Sequence, residues 1–328
     1  MNLYLADAIQ LVHLRYTDRL WGTGVLESYW RLLVNRIKMD KWLGAMGMNQ
    51  SLDERSNNKL SLFLDSGAFS AWSKGASIDL GEYITFCKKY EPVLSVIAVL
   101  DVIPGEKGKP TTSEQRAAAA QRSWDNYQTM LAAGLPKDKL LPCFHCGEDW
   151  EWLEKYKEAT DYIALGGTVK VTNRVEWFEQ AWAVLTDRSG MPTHKIHGFG
   201  MTSFDLMRRY PWYSVDSTTW VMMSRFGSIL VPVYRDGKWI YSEDPWKVTV
   251  SEKSPSTADA GKHFDSWPIL VQAEIRKYVE AKGFSLEAAR TDYMVRDQLN
   301  IIYFKDFEAS RPAWPWAYNK VGARQEFF

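Results

Sequence analysis

The stretch Leu62-Phe63-Leu64-Asp65-Ser66-Gly67-Ala68-Phe69 sets the pattern of this chain. A short apolar run ends in an aspartate, and a turn of small residues follows. Runs of this kind, bounded by turn residues, are typical of buried strands. The predicted strands are Leu60–Asp65, Leu94–Asp101, Lys139–His145, Tyr162–Leu165, Lys195–Phe199, Tyr213–Asp216 and Ile229–Tyr234.

Segments with helical periodicity lie between most of these strands. Ser113–Ala133 contains a run of alanines and ends before the stop signal Gly134-Leu-Pro136. Asp149–Glu158 and Val175–Leu185 are two more predicted helices. Alternating strands and helices predict parallel pairing. About seven or eight such units favour a closed α/β fold, a (β/α)8 TIM-like barrel, over an open sheet.

The pattern changes after about Tyr241. The segment Ser251–Ala258 is polar and resembles a linker, whereas Phe264–Lys282 and Ser285–Phe304 have the periodicity of amphipathic helices. The sequence therefore predicts a barrel over residues 1–241 and a C-terminal helical extension, residues 242–328, packed on it.

Composition limits the partners of the chain. The 40 Lys+Arg balance the 40 Asp+Glu, so a nucleic acid must be held by a local basic patch. Three cysteines cannot form a disulfide framework, which favours a reducing cytoplasm. No stretch approaches the ~20 apolar residues of a membrane span, so no membrane partner is expected.

Polar residues follow several predicted strands, and the carboxyl ends of barrel strands open on one face. Asp65, Asp101 and Asp216 each end an apolar run, as do His145 and the pair Gly166-Gly167. A single aspartate in this position is as easily a helix N-cap, but three together favour a site. Paired carboxylates in a cleft can serve as nucleophile and proton shuttle, as cleavage of an N-glycosidic bond requires.

These residues resemble those of the tRNA-guanine transglycosylases. Asp65-Ser66-Gly67-Ala68-Phe69 is similar to the Asp-Ser-Gly-Gly-Phe signature of that family, and the later strand ends follow in the family's order. Those ends are Leu100-Asp101 with Pro104, Ile163-Ala-Leu-Gly166-Gly167, His197-Gly198-Phe199-Gly200 and Tyr213-Ser-Val-Asp216-Ser217. The matches extend from about Leu60 to Trp220, roughly half of the chain.

The chain differs from the tRNA enzymes of this family in two features. The zinc motif Cys-x-Cys-x-x-Cys…His of the tRNA enzymes is missing, since no cysteine follows Cys146, and His145 stands in place of the family's Gln. Compact zinc-free members resemble the phage-encoded 7-deazaguanine DNA transglycosylases, which exchange guanine in DNA for a base such as preQ0. This chain is most similar to those. A tRNA enzyme, a hydrolytic glycosylase and a non-catalytic nucleic-acid-binding barrel that acts with a partner remain alternatives.

The resemblance implies a pentosyltransferase with a defined set of site residues. Asp216 would attack C1′ of the nucleotide and hold the sugar covalently, and Asp65 would serve as acid and then as base. Asp101 would accept hydrogen bonds from the purine N1–H and amine. The remaining base contacts would come from His145, Gly166, Gly167, Phe69 and His197. Such exchange needs no cofactor, and it implies a cytoplasmic enzyme, in the host cytoplasm if phage-encoded.

Two further sequence patterns bear on metal binding and on contact with a polynucleotide. The run Cys143-Phe-His145-Cys146 has no second Cys/His pair at a spacing suited to zinc, so no metal is predicted. Basic residues follow several predicted strands and are candidates for phosphate contacts, with a solvated helix face as the alternative for each. They are Lys170, Arg174, Arg208, Arg209 and Arg225. The neutral total charge also leaves room for an accessory protein.

Overall fold

The computed structural model describes residues 1–7, 24–45, 61–168, 171–254 and 261–318. A parallel sheet of nine strands forms its centre, in the hydrogen-bonded order β5-β4-β3-β2-β1-β9-β8-β7-β6. The strands are β1 Asn2–Ala6, β2 Gly24–Ser28, β3 Ser61–Asp65, β4 Val96–Ala98, β5 Leu140–Leu141, β6 Cys143–His145, β7 Tyr162–Gly166, β8 Lys195–Gly198 and β9 Ser214–Ser217.

The sheet closes on itself at Pro142. Proline has no N–H to donate, so one extended segment is divided there into β5 and β6. On one side Val99 N donates to Leu141 O at 3.0 Å, and on the other Ala164 N donates to Pro142 O at 2.8 Å. The two edge strands, β5 and β6, are therefore two parts of one barrel strand. The predicted α/β barrel is confirmed, and it has eight strands when β5 and β6 are counted as one.

Helices surround this barrel. Between and after the strands lie α1 Tyr29–Val34, α2 Met39–Ala45, α3 Ala68–Trp72, α4 Leu80–Tyr90, α5 Ser113–Ala132, α6 Trp150–Ala159, α7 Arg174–Leu185, α8 Phe204–Arg209 and α9 Thr219–Arg225. The longest, α5, begins with a capping box in which Thr112 Oγ1 accepts from Gln115 N at 3.2 Å and Gln115 Oε1 accepts from Thr112 N at 3.0 Å. This helix lies where the alanine run predicted it.

Alternation along the strands separates two apolar layers. One set of side chains fills the barrel: Tyr4, Ala6, Leu26, Phe63, Val96, Ala98, Leu141, Cys143, Tyr162 and Ala164. The intervening residues, such as Leu3, Leu5, Leu62 and Leu64, belong to the larger cluster that includes the helices. A residue placed just past the carboxyl end of a strand can therefore face the barrel mouth or the helical layer.

The strand predictions were incomplete at both ends of the barrel. β1 and β2 were not predicted. The interpretation of Ile229–Tyr234 as a barrel strand was wrong, because Pro232 divides it. The first part, β10 Ser228–Val231, pairs antiparallel with β13 Trp246–Thr249, and the second, β11 Val233–Arg235, forms a hairpin with β12 Lys238–Ile240.

Three helices follow these hairpins: α10 Ile269–Ala281, α11 Leu286–Thr291 and α12 Tyr293–Ala309. The predicted helix Ser285–Phe304 is interrupted at Asp292, whose side chain caps α12 by accepting from Met294 N at 2.8 Å. Asn300 ties α12 to the strands: its Oδ1 accepts from Leu230 N at 2.8 Å and its Nδ2 donates to Ser228 O at 3.2 Å. In the described ranges no helix is long and apolar enough to cross a membrane.

Candidate active site

Asp65 is the last residue of β3, and a glycine turn follows it. Gly67 adopts φ +77°, and a Cβ there would lie 2.2 Å from Ser28 Oγ and 2.5 Å from Trp30 Cβ. Only glycine fits both the backbone conformation and the space. The turn brings the Gly67 N–H to the Asp65 carboxyl group as a hydrogen-bond donor.

Burial raises the pKa of Asp65 to about 7, and the negative charges of Asp101, Asp216 and Glu27 add to this shift, whereas the Gly67 N–H opposes it. The three predicted aspartates therefore lie close enough to interact at one mouth. A carboxyl group with this pKa is partly protonated at neutral pH. It can both donate and accept a proton there.

Asp216 lies on β9 and is only 7 % exposed. Its Oδ1 accepts from Gly200 N at 2.8 Å and lies 3.3 Å from His197 Nε2. Within the described part of the chain, both hydrogen bonds to this carboxylate fall on Oδ1. Oδ2 accepts no hydrogen bond from the described residues.

His197, a predicted base contact, is fully buried inside the barrel. Its ring lies 4.8 Å from that of Phe63 and 4.6 Å from that of Phe199, measured between centroids. Burial lowers the pKa of His197 and outweighs the opposing effect of Asp216, so the imidazole is neutral. In this arrangement the ring supports Asp216 from within the barrel.

Asp101, which follows β4, forms a hydrogen bond with His145 at the end of β6. His145 Nε2 lies 2.7 Å from Asp101 Oδ2, and His145 Nδ1 lies 3.0 Å from Glu148 Oε1. Burial alone would lower the pKa of His145, but Glu148 and the hydrogen bond to Asp101 outweigh it and raise that pKa well above its usual value. The imidazolium donates both N–H groups to carboxylates, so His145 orients Asp101 and leaves Asp101 Oδ1 for a ligand.

The glycine pair at the end of β7 packs against this assembly. A Cβ on Gly166 would lie 2.7 Å from Cys143 Sγ. Gly167 has φ +72°, and a Cβ there would lie 3.1 Å from Cys146 N and 3.2 Å from His145 Cβ. Close packing of β7 on β6 thus explains both glycines, and it places them beside His145.

Cys143 and Cys146 lie in different surroundings. Cys143 is buried on β6, but Cys146 follows the strand in a turn and is half-buried. Burial raises the pKa of the Cys143 thiol to about 11, so it stays protonated at neutral pH. In the part of the chain that the structure describes, no group of three His, Cys, Asp or Glu side chains is arranged to hold a metal ion.

A cavity of about 460 Å³ adjoins Asp101 between α3 and the loop after β4. Trp72 on its wall donates from Nε1 to Gly105 O at 2.8 Å and so joins α3 to that loop. Phe69, a predicted base contact, lies on the same helix with its ring 5.7 Å from that of Trp72, and it is 55 % exposed. An aromatic surface therefore lies beside the mouth.

Sequence reasoning missed two acidic residues at the ends of β1 and β2. Glu27 is buried and contributes to the raised pKa of Asp65. Asp7, in the left-handed region at φ +70°, forms ion pairs with Arg31 and, at 2.9 Å, with Arg225. Because neither strand was predicted, the residues at their carboxyl ends were not considered.

The predicted phosphate contacts are distributed over several helices. Arg208 pairs with Asp244 at 2.5 Å, Arg209 with Glu179 at 2.6 Å, and Arg225 with Asp7 as above. Arg174 is exposed at the start of α7. Lys170 lies outside the described residues. Carboxylates thus balance three of these cations, and Arg174 forms no ion pair with a described residue.

No protein-family model and no curated protein matches this chain. Among solved structures, a probable tagatose 6 phosphate kinase from Sinorhizobium meliloti 1021 is similar at 11 % identity and a TM-score of 0.40, over 69 % of this chain and 67 % of that one. The YdjI aldolase from Escherichia coli K12 is similar at 8 % identity and 0.41, over 94 % and 90 %. A putative fructose-1,6-biphosphate aldolase from Coccidioides immitis gives 12 % and 0.33, over 93 % and 90 %. Similarities this weak do not indicate an activity for this chain. The barrel is established by the strand pairings of its own sheet.

Proposed function

We propose that this chain is a pentosyltransferase that exchanges guanine in DNA for a 7-deazaguanine such as preQ0. The observation that carries the proposal is the pair formed by Asp65, with a pKa of about 7, and Asp216, whose Oδ1 is fixed while Oδ2 is left to react. Two carboxyl groups with different protonation states divide the roles of acid and nucleophile.

In the first half of the exchange, Asp216 Oδ2 forms a bond to C1′ as the bond from C1′ to guanine N9 breaks. The electron pair of that bond leaves with the guanine, which takes the proton of Asp65. In the second half the Asp65 carboxylate accepts the N9 proton of the incoming base, N9 bonds to C1′, and Asp216 is released. Atoms and charge balance, and Asp65 ends protonated as it began.

Asp101 is suited to hold the purine. A carboxylate only accepts hydrogen bonds, and the guanine edge formed by N1–H and the 2-amino group only donates them. His145 holds Asp101 Oδ2 and leaves Oδ1 for that edge. The cavity beside Asp101 is lined by Trp72 but by neither Asp65 nor Asp216, so the room that it offers a flipped base lies next to the recognition carboxylate only.

The choice of DNA as the polymer rests on the sequence resemblance and on the missing zinc motif. The proposal is tested by incubating the full chain with duplex DNA, single-stranded DNA or tRNA, each with preQ0. Nucleosides from each polymer are then analysed by mass spectrometry. We expect the preQ0 nucleoside from DNA.

Asp216→Asn keeps an acceptor for Gly200 N–H but removes the attacking oxyanion, so it is expected to abolish incorporation. Asp161→Asn makes the same change at an exposed position at the opposite end of the barrel and should leave incorporation unchanged. If only tRNA is modified, the polymer substrate is tRNA and the choice of DNA is refuted. Abasic sites would indicate a hydrolase. No product from any polymer would refute exchange and favour a non-catalytic barrel.

A further inference from the structure

A line of buried hydrogen bonds runs along the inside of the barrel to Asp216. Tyr162 Oη lies 2.6 Å from Ser214 Oγ, and Ser214 Oγ lies 2.7 Å from His197 Nδ1. His197 Nε2 in turn faces Asp216 Oδ1 at 3.3 Å. All four residues are buried. Buried polar groups need partners within the protein, so each of these atoms depends on its neighbour in the line.

The hydrogen bonds of this line have a single consistent direction. The Asp216 carboxylate can only accept, so the one N–H of the neutral His197 ring must be on Nε2. Nδ1 then carries a lone pair and requires the O–H of Ser214. Since Ser214 has given its only proton to His197, it accepts from Tyr162. The opposite tautomer would set the Nε2 lone pair against the carboxylate.

Sheet register holds the members of the line in place. His197 on β8 stands opposite Ser214 on β9, and Ala164 on β7 stands opposite His197. Asp216 and Tyr162 lie two residues from Ser214 and from Ala164, and therefore on the same inward face. The geometry of the line is thus set by backbone pairing of three adjacent strands.

We propose that Ser214 and Tyr162 are positioning residues that hold the His197 ring through its Nδ1, so that its Nε2–H stays on Asp216 Oδ1 and Oδ2 is left to attack. Only the catalytic consequence rests on the proposed function, because the tautomer follows from the hydrogen bonds themselves. An imidazole held in the wrong tautomer is known to cost catalysis heavily even where geometry is kept.

The tautomer can be measured without any substrate. In the ¹⁵N-labelled full chain, long-range ¹H–¹⁵N correlation of the histidine rings distinguishes Nε2–H from Nδ1–H, and His197→Gln identifies the signal of His197. We expect Nε2–H alone in the wild type. In Ser214→Ala we expect the same tautomer with a shifted Nδ1 resonance, because the Nδ1 lone pair has lost its donor. Nδ1–H in the wild type, or an unchanged ring in Ser214→Ala, would overturn the proposal.

Kinetics then test the consequence. Ser214→Ala is expected to lower kcat about tenfold and Tyr162→Phe about threefold, both with unchanged KM for preQ0, because each variant removes one buried hydrogen bond. Tyr4→Phe is the matched control, since it removes a hydroxyl from another buried tyrosine of the barrel interior, one that contacts Ser61 at 3.1 Å. It should leave kcat and the His197 Nδ1 resonance unchanged.

The experiments distinguish a failure of the proposed function from a failure of the positioning role. A wild-type chain without exchange activity but with the Nε2–H tautomer would refute the proposed function alone. An active wild type whose kcat is unaffected by both Ser214→Ala and Tyr162→Phe would refute the positioning role alone. If Ser214→Ala does not fold, Tyr162→Phe decides, because it keeps the ring that packs in the barrel.

Discussion

Replacing Asp65 with asparagine is expected to stabilise the protein as the pH rises. The fold raises the pKa of this group from 3.8 to about 7. Between those values the folded chain holds a proton that the unfolded chain has released. The contribution of Asp65 to the free energy of unfolding therefore falls by about 1.4 kcal/mol per pH unit across that window and is constant above it.

The magnitude follows by integration. From about pH 5 to about pH 8, the wild type should lose about 3 kcal/mol of stability through Asp65 alone. Asparagine has nearly the same shape and does not ionise, so Asp65→Asn escapes this loss. The difference in the free energy of unfolding between variant and wild type should thus grow with pH by about 3 kcal/mol over the same range.

Urea unfolding followed by tryptophan fluorescence, at several pH values across that range, measures this difference. Asp161→Asn is the matched control, because the same substitution at an exposed carboxylate should give a curve parallel to that of the wild type. If Asp65→Asn also ran parallel to the wild type, the carboxyl group would have an ordinary pKa. The assignment of Asp65 as acid and base would then lose its foundation.

Three further predictions concern the same structure. If Asp65 is the acid, the rate of exchange should fall about tenfold per pH unit above about pH 7, and a rate that is flat to about pH 9 would exclude that role. Gly67→Ala should lower the free energy of unfolding by about 3 kcal/mol or more, because strain and collision combine there, whereas Gly75→Ala, at φ +69° with open space around it, should cost about 1 kcal/mol. Equal costs would contradict the collision. Asn300→Ala should cost about 2–4 kcal/mol, since three backbone groups lose a buried partner, and a smaller loss in urea unfolding would show that they find others.

The barrel and the meeting of three aspartates were predictable because strands and their terminal residues obey simple rules. A run such as Leu62-Phe-Leu-Asp65 marks both a buried strand and the side chain at its end, and parallel strands in a barrel end on one face. The sequence therefore predicted that Asp65, Asp101 and Asp216 converge. In the structure the negative charges of Asp101 and Asp216 both raise the pKa of Asp65.

Other features were not predicted, and several of them depend on contacts that the local sequence does not encode. β1 carries the same signal as β3, since the apolar run Leu3-Tyr-Leu-Ala is followed by Asp7, and it was overlooked. β2 contains only the apolar pair Val25-Leu26, which is too short to indicate a strand. Ile229–Tyr234 has the composition of a barrel strand, but Pro232 and its partner strands decide otherwise. The pairing of His145 with Asp101 joins residues 44 positions apart, so it becomes visible only in three dimensions.

The pairing of β9 with β1 also has a consequence for biosynthesis. Asp216 stands opposite Tyr4, on the strand that joins the last part of the barrel to the first. A nascent chain that has emerged only as far as α8 already carries Asp65, Asp101 and His145, but it lacks Asp216. If the proposed function is correct, reactivity toward a nucleotide would therefore be acquired in one event, when β9 docks beside β1. Incomplete translation products would hold the proposed acid and the proposed base-recognition side chain without the proposed nucleophile.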